Sequence, residues 1–301
     1  MRTQSTLLSV LFCAVLACSA EEAEPAASAV RLRIALVNLK AVYSDGPDEQ
    51  ANAVNIQNNL KRHLHYIDVA AGKGAEFIGF PELSINGYRF SDKMTWLTLE
   101  GPEVKALRDK AVEKRIYVSA GLAEVDANGK RWNTHIVIDP KGEIIGKHHK
   151  IWLTKEKPFV EAGAEHNVFD VKGTKMGMLI CADGSDPKNL EKLAENGAKI
   201  IYAPHANTTG GTISGWYKFR ANWGGGNGLI AKLKVFAALH NNAGLYDPQQ
   251  KPPVEKDTNS GWASGAWFIG PDGKTLAQMP ASESRAESKE FVLIHDVPIK
   301  K

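Results

Sequence analysis

The chain has 301 residues, of which 43% are hydrophobic, 24% charged and 8% aromatic, a balance that excludes disorder as the main state. Its 37 basic and 34 acidic residues leave a net charge of +3, too even to point to a nucleic-acid partner. Three cysteines, Cys13, Cys18 and Cys181, are too few for a disulfide scaffold or an all-thiolate zinc or iron–sulfur site.

From the N-terminus, Leu7 to Ala17 reads LLSVLFCAVLA behind one basic residue, Arg2, with Ser9 its only polar member. A membrane-spanning helix needs about 20 apolar residues, so this run fits a secretory signal peptide over 1–17 instead. It ends Leu16-Ala17-Cys18-Ser19, which resembles the bacterial lipobox. That resemblance implies that Cys18 is lipidated and becomes the mature N-terminus. Ser at position 19 leans towards the outer membrane, with the protein facing the periplasm. An ordinary signal peptide cut near Ala20 would instead release a soluble periplasmic or secreted protein. Residues 18–30 complete the lipidated end and a tether: SAEEAEPAASAV is small, acidic and without apolar period, the composition of a flexible linker. Loss of 1–17 removes one charge, Arg2, and takes +3 to +2.

The remaining 31–301 read as one domain, with no internal repeat and no second linker. RLRIALVNL from Arg31 has strand character. Over 48–72, Ala53, Ile56, Leu60, Leu64, Ile67 and Ala71 recur at helical spacing, and Gly72-Lys73-Gly74 stops the helix. EFIGF (76–80) is a short buried strand running into Pro81-Glu82. A helix follows over 101–114, then strands over 116–125 and 134–140, with turns at Asn128-Gly129 and Asp139-Pro140-Lys141-Gly142 before GEIIGKHHK. Strands are expected over 175–181, 199–204, 235–240 and 290–297, and helices over 187–196 and 213–223. A hairpin turns at Pro271-Asp272-Gly273. Alternation with inserted hairpins predicts a layered α/β protein with mixed sheets.

Three residues carry candidate chemistry. Cys181, the one cysteine beyond the first thirty residues, sits where an apolar strand meets a turn, ICADGS. There a nucleophile is exposed beside free backbone N–H groups able to hold an oxyanion. By itself a free cysteine is more often a small buried hydrophobe. Glu82 follows a buried strand in FPELSINGY, where ligand sites form in open α/β sheets. An apolar setting would raise its pKa and make it a general base, although most acids are surface charges. Lys150 ends the basic run Lys147-His148-His149-Lys150 and can donate to an oxyanion, though such runs are commonly solvated hairpins. The adjacent histidines point to opposite faces of a strand and would not chelate a metal together.

Together, Glu82 in FPELSINGY, Lys150 in GKHHKIWL and Cys181 in GMLICADG resemble the nitrilase, or carbon–nitrogen hydrolase, superfamily, in order, spacing and flanks, from about residue 31 to 298. The resemblance implies a four-layer αββα sandwich and a catalytic triad of Glu82, Lys150 and Cys181. It implies a thioester mechanism without cofactor or metal, the Ala182 N–H as backbone oxyanion donor, and a homodimer. A second active-site glutamate is frequent in the family. Glu156 and Glu161 are the candidates here, and the acid–aromatic–glycine pattern favours Glu156. Trp152, His205, Asn207 and Trp216 fall near the expected pocket rim, with ordinary packing an equal reading for the two tryptophans. Arg220 resembles a family arginine, for which carboxylate binding is one role and a structural salt bridge the simpler one. Gly224 to Gly228, part of WGGGNG, departs from the family's helix and reads as a loop.

The implied function is hydrolysis of a non-peptide carbon–nitrogen bond in a small amide or carbamoyl amide. Nitrile-cleaving members place Trp-Glu after the cysteine, whereas this chain has Ala182-Asp183. The alternative is a catalytically inactive, membrane-tethered binding protein, but such a protein has no need of all three triad residues. Acyl transfer is disfavoured, because those relatives carry several transmembrane helices and no second apolar run of 18 residues occurs here.

Overall fold

Side-chain alternation along the strands decides how the layers stack. In β1 (Arg31–Asn38), Leu32, Ile34 and Leu36 enter one apolar cluster, while Ala35 and Val37 enter another on the opposite face, as a period of two requires. The computed structural model describes residues 30–208, 212–244, 262–284 and 289–299. The expected signal peptide, Cys18 and the tether up to residue 29 lie outside the described residues.

Helix α1 (Glu49–Gly72) begins where the Asp48 side chain accepts from the Ala51 amide at 2.8 Å, an N-cap. Helix α2 (Pro102–Lys114) carries proline in its first turn, where a missing N–H costs nothing. Between them lies β2 (Phe77–Gly79), and β3 (Tyr117–Val125), β4 (Arg131–Ile138) and β5 (Ile144–His149) follow. The second half holds β6 (Val168–Val171), β7 (Thr174–Met178), a 3₁₀ turn (Cys181–Ser185), α3 (Pro187–Glu195), β8 (Ile200–His205), α4 (Ile213–Phe219) and α5 (Leu229–Leu233). It ends with β9 (Phe236–Asn241), β10 (Ala266–Ile269), β11 (Thr275–Gln278) and β12 (Phe291–Pro298).

The strands form two sheets of six, ordered β12-β1-β2-β3-β4-β5 and β11-β10-β9-β8-β7-β6. Each has a parallel centre and antiparallel flanks. One apolar layer, which holds Ile34, Phe77, Tyr202 and Phe268, lies between the sheets. A second packs α1 and α2 on the first sheet, and a third packs α3, α4 and α5 on the other. The architecture is the expected αββα sandwich with mixed sheets. At one pole the sheets are tied by Asn38, whose Nδ2 donates to the carbonyls of Asn241 (2.8 Å) and Gly265 (2.6 Å).

Four segments differ from the sequence reading. The strand expected over 175–181 stops at Met178, because Cys181 turns the chain with φ +46°. The helix expected over 213–223 stops at Phe219. β6 and α5 are short elements that no clear periodicity marked. The glycine run is a folded-over loop. A Cβ at Gly228 would sit 2.2 Å from the Gly224 carbonyl oxygen, and one at Gly224 would sit 2.7 Å from Trp267. Gly225, at φ +79°, donates to the carbonyl of Gly273 at 2.8 Å, so the loop is clamped on the β10–β11 turn. Among the described residues no helix is long and apolar enough to cross a membrane.

Candidate active site

The carboxyl ends of β2, β5, β7 and β8 deliver the site. Three residues past β2, Glu82 is fully buried. Its Oε1 accepts from Lys150 Nζ and Asn133 Nδ2, each at 2.8 Å, and its Oε2 accepts from the Ala206 amide at 2.8 Å. Asn242 Nδ2 donates to the Glu82 carbonyl at 3.0 Å and fixes the backbone. All three donors to the side chain are N–H groups, so the arrangement fits the carboxylate. Burial pushes the carboxyl above its ordinary value, against the opposing pull of Lys150.

Lys150 directly follows β5 and is also buried. Its ammonium bridges Glu82 and Glu156 and lies 5.5 Å from the centre of the Tyr88 ring. Burial acts against the charge, but Glu82, Tyr88, Cys181 and Glu156 outweigh it and hold Lys150 well above the ordinary lysine value. Glu156 Oε2 accepts from the Tyr88 hydroxyl (2.8 Å) and from the Thr154 hydroxyl (2.8 Å) and amide (3.2 Å). Burial raises the Glu156 carboxyl, and Lys150 more than offsets this, leaving it below its ordinary value. Of the two candidate second carboxylates, the structure brings Glu156 to the lysine and leaves Glu161 exposed.

Cys181 opens the 3₁₀ turn in a left-handed conformation, which for an L-residue costs about 1–2 kcal/mol. The strain is held by Asp183. Its Oδ2 accepts from the Ile180 amide (3.0 Å) and His148 Nε2 (2.9 Å), and its Oδ1 from the amides of Ile151 (3.0 Å) and Trp152 (2.7 Å). A buried carboxylate thus staples the nucleophile turn to the backbone just beyond Lys150. Burial and the Glu82 charge push the thiol up to about 12, against Lys150, Arg220 and the Ala206 amide. Ala182, in the first turn of the 3₁₀ segment, is half-buried, and an amide there has no intrahelical acceptor.

Arg220 is 1% exposed and lies just past α4 rather than on it. Its Nη2 donates to the Cys181 carbonyl, its Nε to His205 Nε2 at 2.8 Å and its Nη1 to Ser185 Oγ at 3.3 Å. The expected salt bridge is not made to any described residue: the guanidinium is spent on a backbone carbonyl, an imidazole and a hydroxyl. Burial lowers it to about 10, still charged at neutral pH. His205 is fully buried, and burial with the Arg220 charge holds it well below its ordinary value. Trp216, packed edge-on to His205 at 5.5 Å, is fully buried in the helix-facing layer. These two lie behind the nucleophile turn, not at an open rim, because their strand and helix face inward there. Trp152 is half exposed beside the turn. Asn207 is half-buried and paired with Asn241 through 2.8 and 2.9 Å bonds.

His148 and His149 do face opposite ways. The first meets Asp183, and the second stacks on Trp132 at 4.1 Å and bonds to Glu124 at 3.0 Å. Among the described residues no group of three or more His, Cys, Asp or Glu could hold a metal ion. Sequence reasoning missed Asn133, Asp183, Tyr88 and the partners of Arg220. Only Asp183, two residues after the cysteine, carried a signal in its position.

A family model for carbon-nitrogen hydrolase matches residues 33–301. A nitrilase of Pyrococcus abyssi is 35% identical over 153 residues, covering 48% of this chain and 58% of that protein. A formamidase of Pseudomonas syringae is 32% identical over 132 residues, covering 42% and 39%. The alignments thus span about half the length of these curated relatives. Among solved structures, a mutant of the amidase from Nesterenkonia sp., with the acetamide moiety of fluoroacetamide added covalently at its active-site cysteine, superposes with a TM-score of 0.70. It is 20% identical, and the match covers 89% of this chain and 90% of that one. At that identity the likeness concerns the fold.

Proposed function

The chain belongs to the carbon–nitrogen hydrolase family, and from that premise we propose that it hydrolyses a small linear amide or carbamoyl amide through a thioester on Cys181. The observation that carries this reading is the Glu82 carboxylate, held on both oxygens by three donors including the Lys150 ammonium, with the thiol within its electrostatic reach. A high thiol pKa keeps Cys181 protonated at rest, so the sulfur loses its proton to Glu82 as it attacks the carbonyl carbon. The oxyanion that forms is met by Lys150 and the Ala182 N–H. Glu82 then returns the proton to the departing nitrogen, and the amine or ammonia leaves. Water gives a proton to Glu82, attacks the thioester carbon and releases the acid, and the sulfur recovers its proton. Glu156 holds Lys150 from the far side and keeps its charge.

A formamidase among the similar proteins supports an amide substrate, whereas a nitrilase supports a nitrile. Ala182-Asp183 favours the amide, since it replaces the Trp-Glu that resemblance associates with nitrile cleavage, and Asp183 is fully engaged in bracing the turn. Incubation with a panel of small amides, carbamoyl amides and nitriles, followed by intact-mass analysis, tests the reading. Acyl adducts on Cys181 from amides are expected, and Cys181→Ala should abolish both adduct and turnover. Turnover that survives Cys181→Ala would overturn the mechanism.

A further inference from the structure

We propose that Arg220 is a positioning residue that aims and polarises the Ala182 amide by holding the Cys181 carbonyl from behind. The inference rests on the reading of Cys181 as nucleophile and Ala182 as oxyanion donor. The peptide between these residues is planar and trans, so its C=O and N–H point in opposite directions. Arg220 is buried and donates to the C=O. That oxygen therefore faces the interior, and the Ala182 N–H faces away from the guanidinium. Cys181 sits at φ +46°, and the peptide that follows it is oriented only by rotation about the Cys181 Cα–C and Ala182 N–Cα bonds, so a strong donor on the carbonyl keeps the N–H aimed. A cation bound to a C=O also draws electron density from the peptide and makes its N–H a stronger donor.

The guanidinium is itself oriented. Because Nε donates to His205 Nε2 at 2.8 Å, the His205 proton sits on Nδ1, where the Ala203 carbonyl accepts at 2.9 Å. The Ser185 hydroxyl takes Nη1. No described carboxylate forms an ion pair with Arg220. A buried cation without a bonded counter-charge is costly as mere packing. Here the negative charges it faces at rest are Asp183 and Glu82, and during reaction the Cys181 thiolate and the oxyanion join them.

Two variants and three readouts test this. Iodoacetamide alkylates sulfur by displacing iodide at a saturated carbon, so it needs the thiolate but builds no oxyanion. In Arg220→Met, kcat on an amide should fall about 100-fold with KM within about threefold, while alkylation of Cys181 stays within about fivefold of wild type. Arg220→Lys, which restores a charge and one donor, should recover about tenfold of the lost kcat. The Ala182 amide proton, followed by NMR with ¹⁵N-alanine, should move upfield in Arg220→Met, whether or not the protein turns over amides. Equal loss of turnover and alkylation in both variants would make Arg220 a scaffold residue only. An unchanged kcat, or an unmoved Ala182 resonance, would also overturn the proposal. If wild type hydrolyses no amide while the resonance moves, the reaction fails and the positioning stands.

Discussion

Three N–H donors converge on one carboxylate, and this decides how the site should respond to pH. Glu82 must be ionised to take the thiol proton, and burial holds its carboxyl above the ordinary 4.5. Lys150 must be charged, and its neighbours hold it well above 10.5. A raised acid is protonated to a higher pH than usual, so kcat/KM should fall as pH drops through a midpoint above 4.5. Lys150 should cause no alkaline loss until pH passes 10.5. Glu82→Gln should lower kcat about 10³-fold and remove the acidic limb. Lys150 keeps Glu156 as its counter-charge, but the new amide nitrogen would face a buried N–H donor, so the melting temperature should fall by about 2–6 °C while the fold survives. A pH–rate profile and a thermal melt check this, and a Gln variant retaining the limb would assign it to another group. Glu82, Lys150 and Cys181 were legible in the sequence because each lies at a strand end inside a short, distinctive string. The bracing role of Asp183 was not, in spite of its place beside the cysteine, since its bonds to His148, Ile151 and Trp152 span 31 to 35 residues. Arg220 was misread for the same reason: its partners, Cys181 and His205, are 39 and 15 residues away.

Elements with a long apolar period were readable and short ones were not. Helix α1 advertised its buried stripe, and β1 its alternation, because each buries a continuous face against another layer. β6, of four residues, and α5, of five, are too short to show a period, and their neighbours hold them in place. The strand before Cys181 read as longer than it is, since Leu179 and Ile180 are apolar but lie past the last paired residue, Met178, just before the turn that Cys181 opens. The glycine run read as a loop, and close backbone approach accounts for its glycines. This gives two contrasting substitutions. At Gly228 a Cβ would strike backbone at 2.2 Å, while at Gly226 nothing lies within 4 Å. Gly228→Ala should therefore cost about 1–3 kcal/mol, and Gly226→Ala should stay within about 0.5 kcal/mol. Denaturant midpoints with unchanged slopes measure both. Equal effects would mean that the loop's glycines serve chain flexibility rather than contact.

At the scale of the whole molecule, the strands separate the site from the point where the N-terminal segment enters. Arg31, the first residue of β1, pairs with Pro298 at the end of β12. The opposite end of β1, at Asn38, meets Asn241 and Gly265, on the pole where Ala206 and Asn242 bind Glu82. A lipid on Cys18, which we propose from the Leu16-Ala17-Cys18 sequence, would thus hold the domain by the pole away from Cys181. The thirteen residues from Cys18 to Val30 can span at most about 45 Å, so the site would open to the aqueous side of the membrane it is tied to. The two cysteines should then differ in chemistry: Cys18 acylated and inert, Cys181 free and reactive. Metabolic labelling with palmitate should mark the wild-type chain and the Cys181→Ala variant equally, and Cys18→Ser not at all. A wild-type chain without label would detach the domain from the membrane while leaving the geometry of its active site as it is.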